Sequence, residues 1–322
     1  DFAEMLSEML GELNASHTGC RYYASGASLR TASLGLFLDE KWEGDGLKIK
    51  EVIKRGPFAV KKTGVKPGDI IESIDGVKIL ASADYNALLD GKAGKPVRIG
   101  VKGKKEDIIV KPISSGELEE LLYKRWVDRN RAFVDSISGG RIAYVHVKAM
   151  DSESFRKVYE ELLSESNRNR DAVVVDERHN GGGWLHDDLC TLLSGKEYQQ
   201  FVPRDKYIGR DPYNKWTKPS CVLICEDDYS NGHGFPWVYK ELGIGKLIGT
   251  PVAGTMTAVW WERLMDSSLV FGIPQVGCRD MRGVYGENTT LNPDIEVYNT
   301  PEDYINGYDR QLERAVREMM KK

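Results

Sequence analysis

From Arg141 onward the chain repeats one pattern: a short run of apolar residues, then a polar or glycine-rich turn, then in most cases a helical stretch. The runs are RIAYVHV, DAVVVD, KPSCVLI and GKLIG, and the amphipathic stretches include ESFRKVYEELLSES and WVYKELG. Strands that are apolar on both faces must be covered on both faces. Helices alternating with them supply that cover, so this part is predicted as an α/β sheet, parallel or mixed, with helical layers. The tail DYINGYDRQLERAVREMMKK is predicted as a closing helix. A length of 322 residues suits two or three domains, and 41% apolar with 29% charged residues is ordinary for a globular protein with a real core.

The N-terminal third reads differently. Residues 1–27 hold an amphipathic helix, with Phe2, Met5, Leu6, Met9, Leu10 and Leu13 at helical spacing, then LNASHTGCRYY and a turn-rich ASGAS. An opening inside a helix is expected of a piece of a longer chain whose N-terminal part, and any targeting signal on it, is missing. Residues 28–115 hold short apolar runs between glycine-rich turns, LGLFL, GLKIKEVI, GDIIESIDG, VRIGVKG and DIIVKPI, with one helical stretch, SADYNALLDG. This describes a small β-barrel with a helical cover. In VKPGDIIESIDGVKI, Pro67-Gly68 makes a turn and Asp75-Gly76 a tight hairpin. The stretch closely resembles a PDZ domain. SLGL, with Gly35, then falls where that family keeps its carboxylate-binding loop, and the strand after it would accept a peptide by β-augmentation. SLGL read alone is only a strand start. Residues 116–322 form the α/β core, which makes the whole an α/β (α+β) chain with an inserted β-barrel-like domain.

Composition excludes several function classes. A net charge of −4 gives no basic footprint for nucleic acid or an anionic membrane. No stretch approaches the ~20 apolar residues of a membrane span, and no signal peptide is present. The five cysteines, Cys20, Cys190, Cys221, Cys225 and Cys278, are scattered without a ligand spacing, so no metal and no cofactor is expected. An odd count of unpatterned thiols suits a reducing cytoplasm.

The chemistry concentrates at two strand ends. DAVVVDERHNGGGW ends a strand in three consecutive glycines, whose open backbone can present N–H groups as an oxyanion hole requires. The G-x-x-x-x-G-K-[ST] and G-x-G-x-x-G phosphate patterns are absent. In CEDDYSNGHGFPWVYKELG, Ser230 stands between a strand and a helix, at the edge where α/β proteins bind ligands. The N–H of Asn231 would lie beside it as in a nucleophile elbow, although G-x-S-x-G is not present. A serine before a helix is most often just an N-cap. A nucleophile needs a base, and the chain has five histidines. His146 lies inside a strand and His186 begins a helix. Spacing cannot separate His17, His179 and His233.

LNASHTG, the PDZ-like middle, DERHNGGGW, YSNGHGF with KELGIGKLIGT, and GENTTLNPDIEV occur in the order found in the tricorn proteases, serine peptidases of the C-terminal processing clan. The resemblance covers essentially the whole chain and implies a peptidase core that hydrolyses peptides or unfolded polypeptide by acyl-enzyme chemistry. It implies a Ser–His–Ser–Glu tetrad: Ser230 as nucleophile, His17 as general base, Ser16 as the auxiliary serine, and Glu287 as the orienting acid. It implies oxyanion donors at Asn231 and in the Gly181-Gly182-Gly183 run, with Gly183 preferred over Gly182. The family commonly has Asp where Asn231 stands, a change a backbone donor tolerates. A homo-oligomer of the full-length protein is implied too. Related peptidases use a Ser–Lys dyad, but Thr255 occupies the lysine position here. A silent core beside a working PDZ domain is the reading from another class. Finally, the family's aspartate for basic P1 side chains aligns with Phe201, with Asp205 close by, and this implies a preference for apolar P1.

Overall fold

The structure, a computed structural model, describes residues 1–24 and 30–321. The chain divides into two compact units, Asp1–Ser25 with Asn130–Lys322, and Gly26–Arg129. The expected boundary at 27/28 lies outside the described residues. At the other end the division falls between Arg129 and Asn130, within one long helix, rather than at 115/116.

The first unit begins with helix α1 (Phe2–Gly11) and strand β1 (Gly19–Tyr22). Ser7 fastens them together, its hydroxyl donating to the Cys20 carbonyl and accepting from the Cys20 N–H, both at 2.7 Å.

The second unit is an antiparallel sheet of β2 (Leu36–Leu38), β3 (Leu47–Val52), β4 (Ile70–Ile74), β5 (Val77–Lys78), β6 (Val97–Val101) and β7 (Ile108–Val110). The order is β2-β3-β4-β6-β7, with β5 paired to β4. Ile49, Ile71, Ile74, Val97, Ile99 and Val101 fill its own core. The β4–β5 hairpin turns on Asp75 and Gly76 at φ 50 and 83, the two positive φ values that a type I′ turn needs. The helix expected over SADYNALLDG shortens to a 3-10 turn, Asn86–Leu89. Tyr85 and Leu88 give it only a few apolar anchors against the sheet, too little to order a long cover. Helix α2 (Ser115–Ser138) then leads into the first unit.

There the core sheet forms. Its strands are β8 (Ile142–His146), β9 (Ala172–Asp176), β12 (Ser220–Ile224), β13 (Lys246–Gly249) and β16 (Ile295–Glu296), numbered with α3 (Ser152–Leu162), α4 (Glu165–Arg168), α5 (His186–Leu193), β10 (Gln199–Phe201), β11 (Gly209–Asp211), α6 (Asn231–Glu241), β14 (Thr257–Arg263) and β15 (Leu269–Gly277) between them. The order is β16-β13-β12-β9-β8, every pair parallel. Ala143, Val145, Val173, Val175, Val222 and Ile224 pack with Val158 of α3, Leu189 of α5 and Phe235 of α6. After α7 (Pro301–Asn306), helix α8 (Arg310–Met319) packs against β9, β12 and β13 through its buried Leu312, Ala315, Val316 and Met319. Both faces are covered, as wholly apolar strands require. Buried Arg178 locks α8 in place: it pairs with Asp176 at 2.7 Å and with the α8 N-cap Asp309 at 2.9 Å. A separate antiparallel sheet, β1-β15-β14, brings the N-terminal strand alongside residues 269–272.

Candidate active site

Two neighbouring strand ends, those of β9 and β12, shape the site. The turn after β12 is folded by Asp228, whose carboxylate accepts from the N–H of Cys225 at 2.8 Å and of Asn180 at 3.2 Å. Ser230 follows at the N-cap position of α6 with φ 58 and ψ −119, and its side chain makes no capping hydrogen bond. A non-glycine residue in that conformation costs on the order of 1–3 kcal/mol, and its surroundings must hold it there. The hydroxyl is therefore not spent on the helix. The Ser230 N–H donates to Thr255 Oγ1 at 3.0 Å, so the residue at the position of the dyad lysine steadies the serine's backbone.

The glycine loop lies against this turn. A Cβ on Gly182 would come within 2.6 Å of the Ser230 Cβ, and one on Gly183 within 2.2 Å of the Met150 carbonyl. Their φ values of +96 and +136 also demand glycine. Gly182 is corrected as a candidate oxyanion donor, because its N–H is spent on Asn180 Oδ1 at 2.9 Å. The N–H groups of Gly183 and Asn231 meet no acceptor among the described residues. The Asn231 side chain has a different task. Its Oδ1 accepts the N–H groups of Leu185 at 2.8 Å and His186 at 3.1 Å, capping α5 from outside, and its Nδ2 donates to His186 Nδ1 at 2.8 Å.

Of the three histidines that spacing leaves open, His17 reaches the cavity that Ser230 lines. The cavity holds about 480 Å³. His17 Nδ1 lies 2.8 Å from Ser16 Oγ and 3.0 Å from Thr257 Oγ1. Glu287 accepts the Ser16 hydroxyl at 2.9 Å and the Ser16 N–H at 2.5 Å. With its hydroxyl proton given to Glu287, Ser16 accepts from Nδ1–H, which leaves Nε2 as the basic nitrogen. The His17 N–H donates to the Tyr229 hydroxyl at 2.7 Å, with the two rings 4.8 Å apart. Burial lowers the His17 pKa, and the Glu287 charge opposes that shift.

The other two are elsewhere. His233 is buried, accepts the Thr255 N–H at 3.2 Å, and is pushed down to about 4 by burial, so it stays neutral and structural. His179 is exposed and pairs with Asp227 at 2.9 Å.

Phe201 is the residue the structure moves. It ends β10, is 44% exposed in a two-stranded hairpin with β11, and is not among the residues lining the Ser230 cavity. Asp205 lies in the exposed turn of the same hairpin, also off the cavity. The residues between the glycine loop and β12 form a sheet of their own, so linear register does not carry them to the site. The wall is built instead by Trp237, Val238, Met256 and Val259, with Arg279 at its edge. Met256, Val259, Arg279 and Thr257 lie in no motif that sequence reasoning could have read, and Tyr229, although it opens YSNGHGF, is not marked there as a partner of His17. In the second unit Gly35 takes φ +66, its N–H bonded to Ser33 Oγ at 3.1 Å, and β2 is left as an edge strand. A separate groove of about 240 Å³ runs between β2 and the 3-10 turn, lined by Leu36, Leu38, Tyr85 and Leu89.

A parallel α/β core with a strained serine turn, a glycine loop beside it and an accompanying PDZ unit is the architecture of a serine-type peptidase. Residues 141–297 match the family model of peptidase family S41, and residues 45–115 that of the tricorn protease PDZ domain. The chain is 28% identical over 332 residues to the tricorn protease of Thermoplasma acidophilum, covering 98% of this chain and 30% of that protein. It is 30% identical over 329 residues to tricorn protease homolog 1 of Streptomyces coelicolor, with the same coverage. The crystal structure of the tricorn protease superposes with a TM-score of 0.86 at 26% identity, over 98% of this chain and 31% of that one. The chain belongs to peptidase family S41 and is tricorn-like. It spans about 30% of the length of these curated relatives.

Proposed function

We propose that the protein hydrolyses peptides through an acyl-enzyme on Ser230. The observation that carries this reading is the Glu287–Ser16–His17 chain of hydrogen bonds ending at the cavity lined by Ser230. His17 Nε2 takes the Ser230 proton as Oγ attacks the substrate carbonyl, and the carbonyl oxygen gains negative charge against the N–H groups of Gly183 and Asn231. The imidazolium then gives its proton to the leaving amine, and water repeats the sequence to release the acid. Glu287, through Ser16, stabilises the imidazolium. The dyad alternative lacks support, since Thr255 is bonded to the serine backbone and no lysine lines the cavity.

The apolar wall favours an apolar P1 side chain, whose full burial gains about 1.5–3 kcal/mol. Arg279 opposes a cationic one by like charge. The reading extends to a homo-oligomer for the whole protein.

A P1-varied fluorogenic peptide library tests it, with a fluorophosphonate label read on the same sample. Wild type is expected to label at Ser230 and to cleave after Leu, Met or Phe, while Ser230→Ala loses both signals. An unlabelled Ser230 means a silent peptide-binding scaffold. A dominant Lys/Arg signal refutes the apolar pocket.

A further inference from the structure

We infer that His179, Cys225 and Asp227 form a binding site for a thiophilic divalent metal ion of the zinc class, beside the catalytic cavity and separate from it. Their donor atoms lie within 4.8 Å of one another, and among the described residues no other three His, Cys, Asp or Glu side chains come together in this way. His179 Nδ1 is 2.9 Å from Asp227 Oδ2 and 3.8 Å from Cys225 Sγ. Around a tetrahedral zinc, sulfur and nitrogen donors stand about 3.6 Å apart and nitrogen and oxygen about 3.4 Å apart, as bond lengths of ~2.3 and ~2.1 Å dictate. Adjustments of about half an ångström or less therefore suffice for these two separations.

One backbone donor is already aimed at the sulfur, whose own proton points toward Asp228 Oδ1 at 3.6 Å. The sulfur accepts the backbone N–H of His179 at 3.2 Å, which fixes its direction and favours the anion. Burial and the nearby Asp228 push the thiol pKa up, and a dication in the site reverses that preference. On binding, the Cys225 proton leaves to solvent and the neutral His179 coordinates through Nδ1 with its proton on Nε2. Asp227 coordinates as the carboxylate. Thiolate and carboxylate then balance the ion's two positive charges. The His179 and Asp227 side chains are 58% and 65% exposed, so the fourth position opens to water.

No sequence spacing announces this site, because its residues lie 46 and 48 positions apart and meet only where β9 and β12 end side by side. The absence of a spaced motif that argued against a metal is thus an absence along the chain, not in space. An ion here would cross-link the loop that enters the glycines to the turn that carries Ser230.

Cobalt(II) titration of the reduced protein tests the inference. Wild type is expected to develop a thiolate-to-cobalt charge-transfer band saturating at one equivalent, bleached by zinc. Cys225→Ser should lose the band, with its fold checked by circular dichroism. The exposed variants His179→Ala and Asp227→Ala should each weaken binding at least tenfold. The inference is overturned if wild type shows no such band, if the band survives in folded Cys225→Ser, or if both exposed variants bind as wild type does. Because the readout is binding alone, its failure leaves the peptidase reading standing, and the reverse also holds.

Discussion

His17 sets the working pH of the proposed reaction, because only its neutral form can accept the Ser230 proton. Burial lowers its pKa below the ordinary 6.5, and Glu287 acts against that shift. The acid limb of kcat/KM is therefore expected below pH 6.5. Glu287→Gln removes the opposing charge, so the limb should move to still lower pH while the plateau falls about 10²-fold, the scale of assisted proton transfer. A pH–rate profile of both proteins checks this, and a limb that stays or rises in Glu287→Gln contradicts the assignment. The residue types at Ser16, His17, Ser230 and Glu287 were legible through ordered motifs. Thr257 was not: its hydroxyl reaches Ser16 at 2.7 Å across 241 positions, and nothing in TAVWWER marks it. Phe201 shows the converse, since an aligned position says nothing of where a hairpin points.

At the level of elements, the start of α5 depends on a residue outside it. Leu185, its N-cap, makes no side-chain cap bond, and Asn231 Oδ1 does the work instead. Asn231→Ala should cost about 0.5–2 kcal/mol, the usual worth of a helix cap. Asn231→Asp should cost less, since a carboxylate oxygen accepts the same N–H groups at a helix N-terminus. Urea denaturation separates the two, and equal stability of Asn231→Ala and wild type would remove the capping role. Four strands of the parallel sheet, β8, β9, β12 and β13, were legible because each is a mostly apolar run, whereas the two-residue β16 gave no such signal. β1, β14 and β15 were not legible either. GCRY and TAVWWER mix apolar with polar or charged residues and become strands only by pairing across the chain.

On the scale of the whole molecule, Gly26–Arg129 closes its own core on Ile49, Ile71, Ile74, Val97 and Ile99. A fragment of residues 30–129 is therefore expected to fold alone, with a cooperative thermal transition by circular dichroism. A fragment that melts without cooperativity contradicts that autonomy. The first unit is discontinuous in sequence: Asp1–Ser25 reaches Asn130–Lys322 along the chain only by way of the other unit, and meets it in space through β1 on β15 and the bonds of Ser16 and His17.

That discontinuity has a consequence in time. Ser16 and its partner Glu287 are 271 positions apart, and a ribosome adding about 5–20 residues per second separates their synthesis by roughly 14–54 s. For most of that interval the nascent chain carries its histidine without the serine turn or the threonine, and to the end of it without the acid. A peptidase arranged this way is expected to receive the orienting acid of its proposed site only late in translation, after the base, the nucleophile and the threonine.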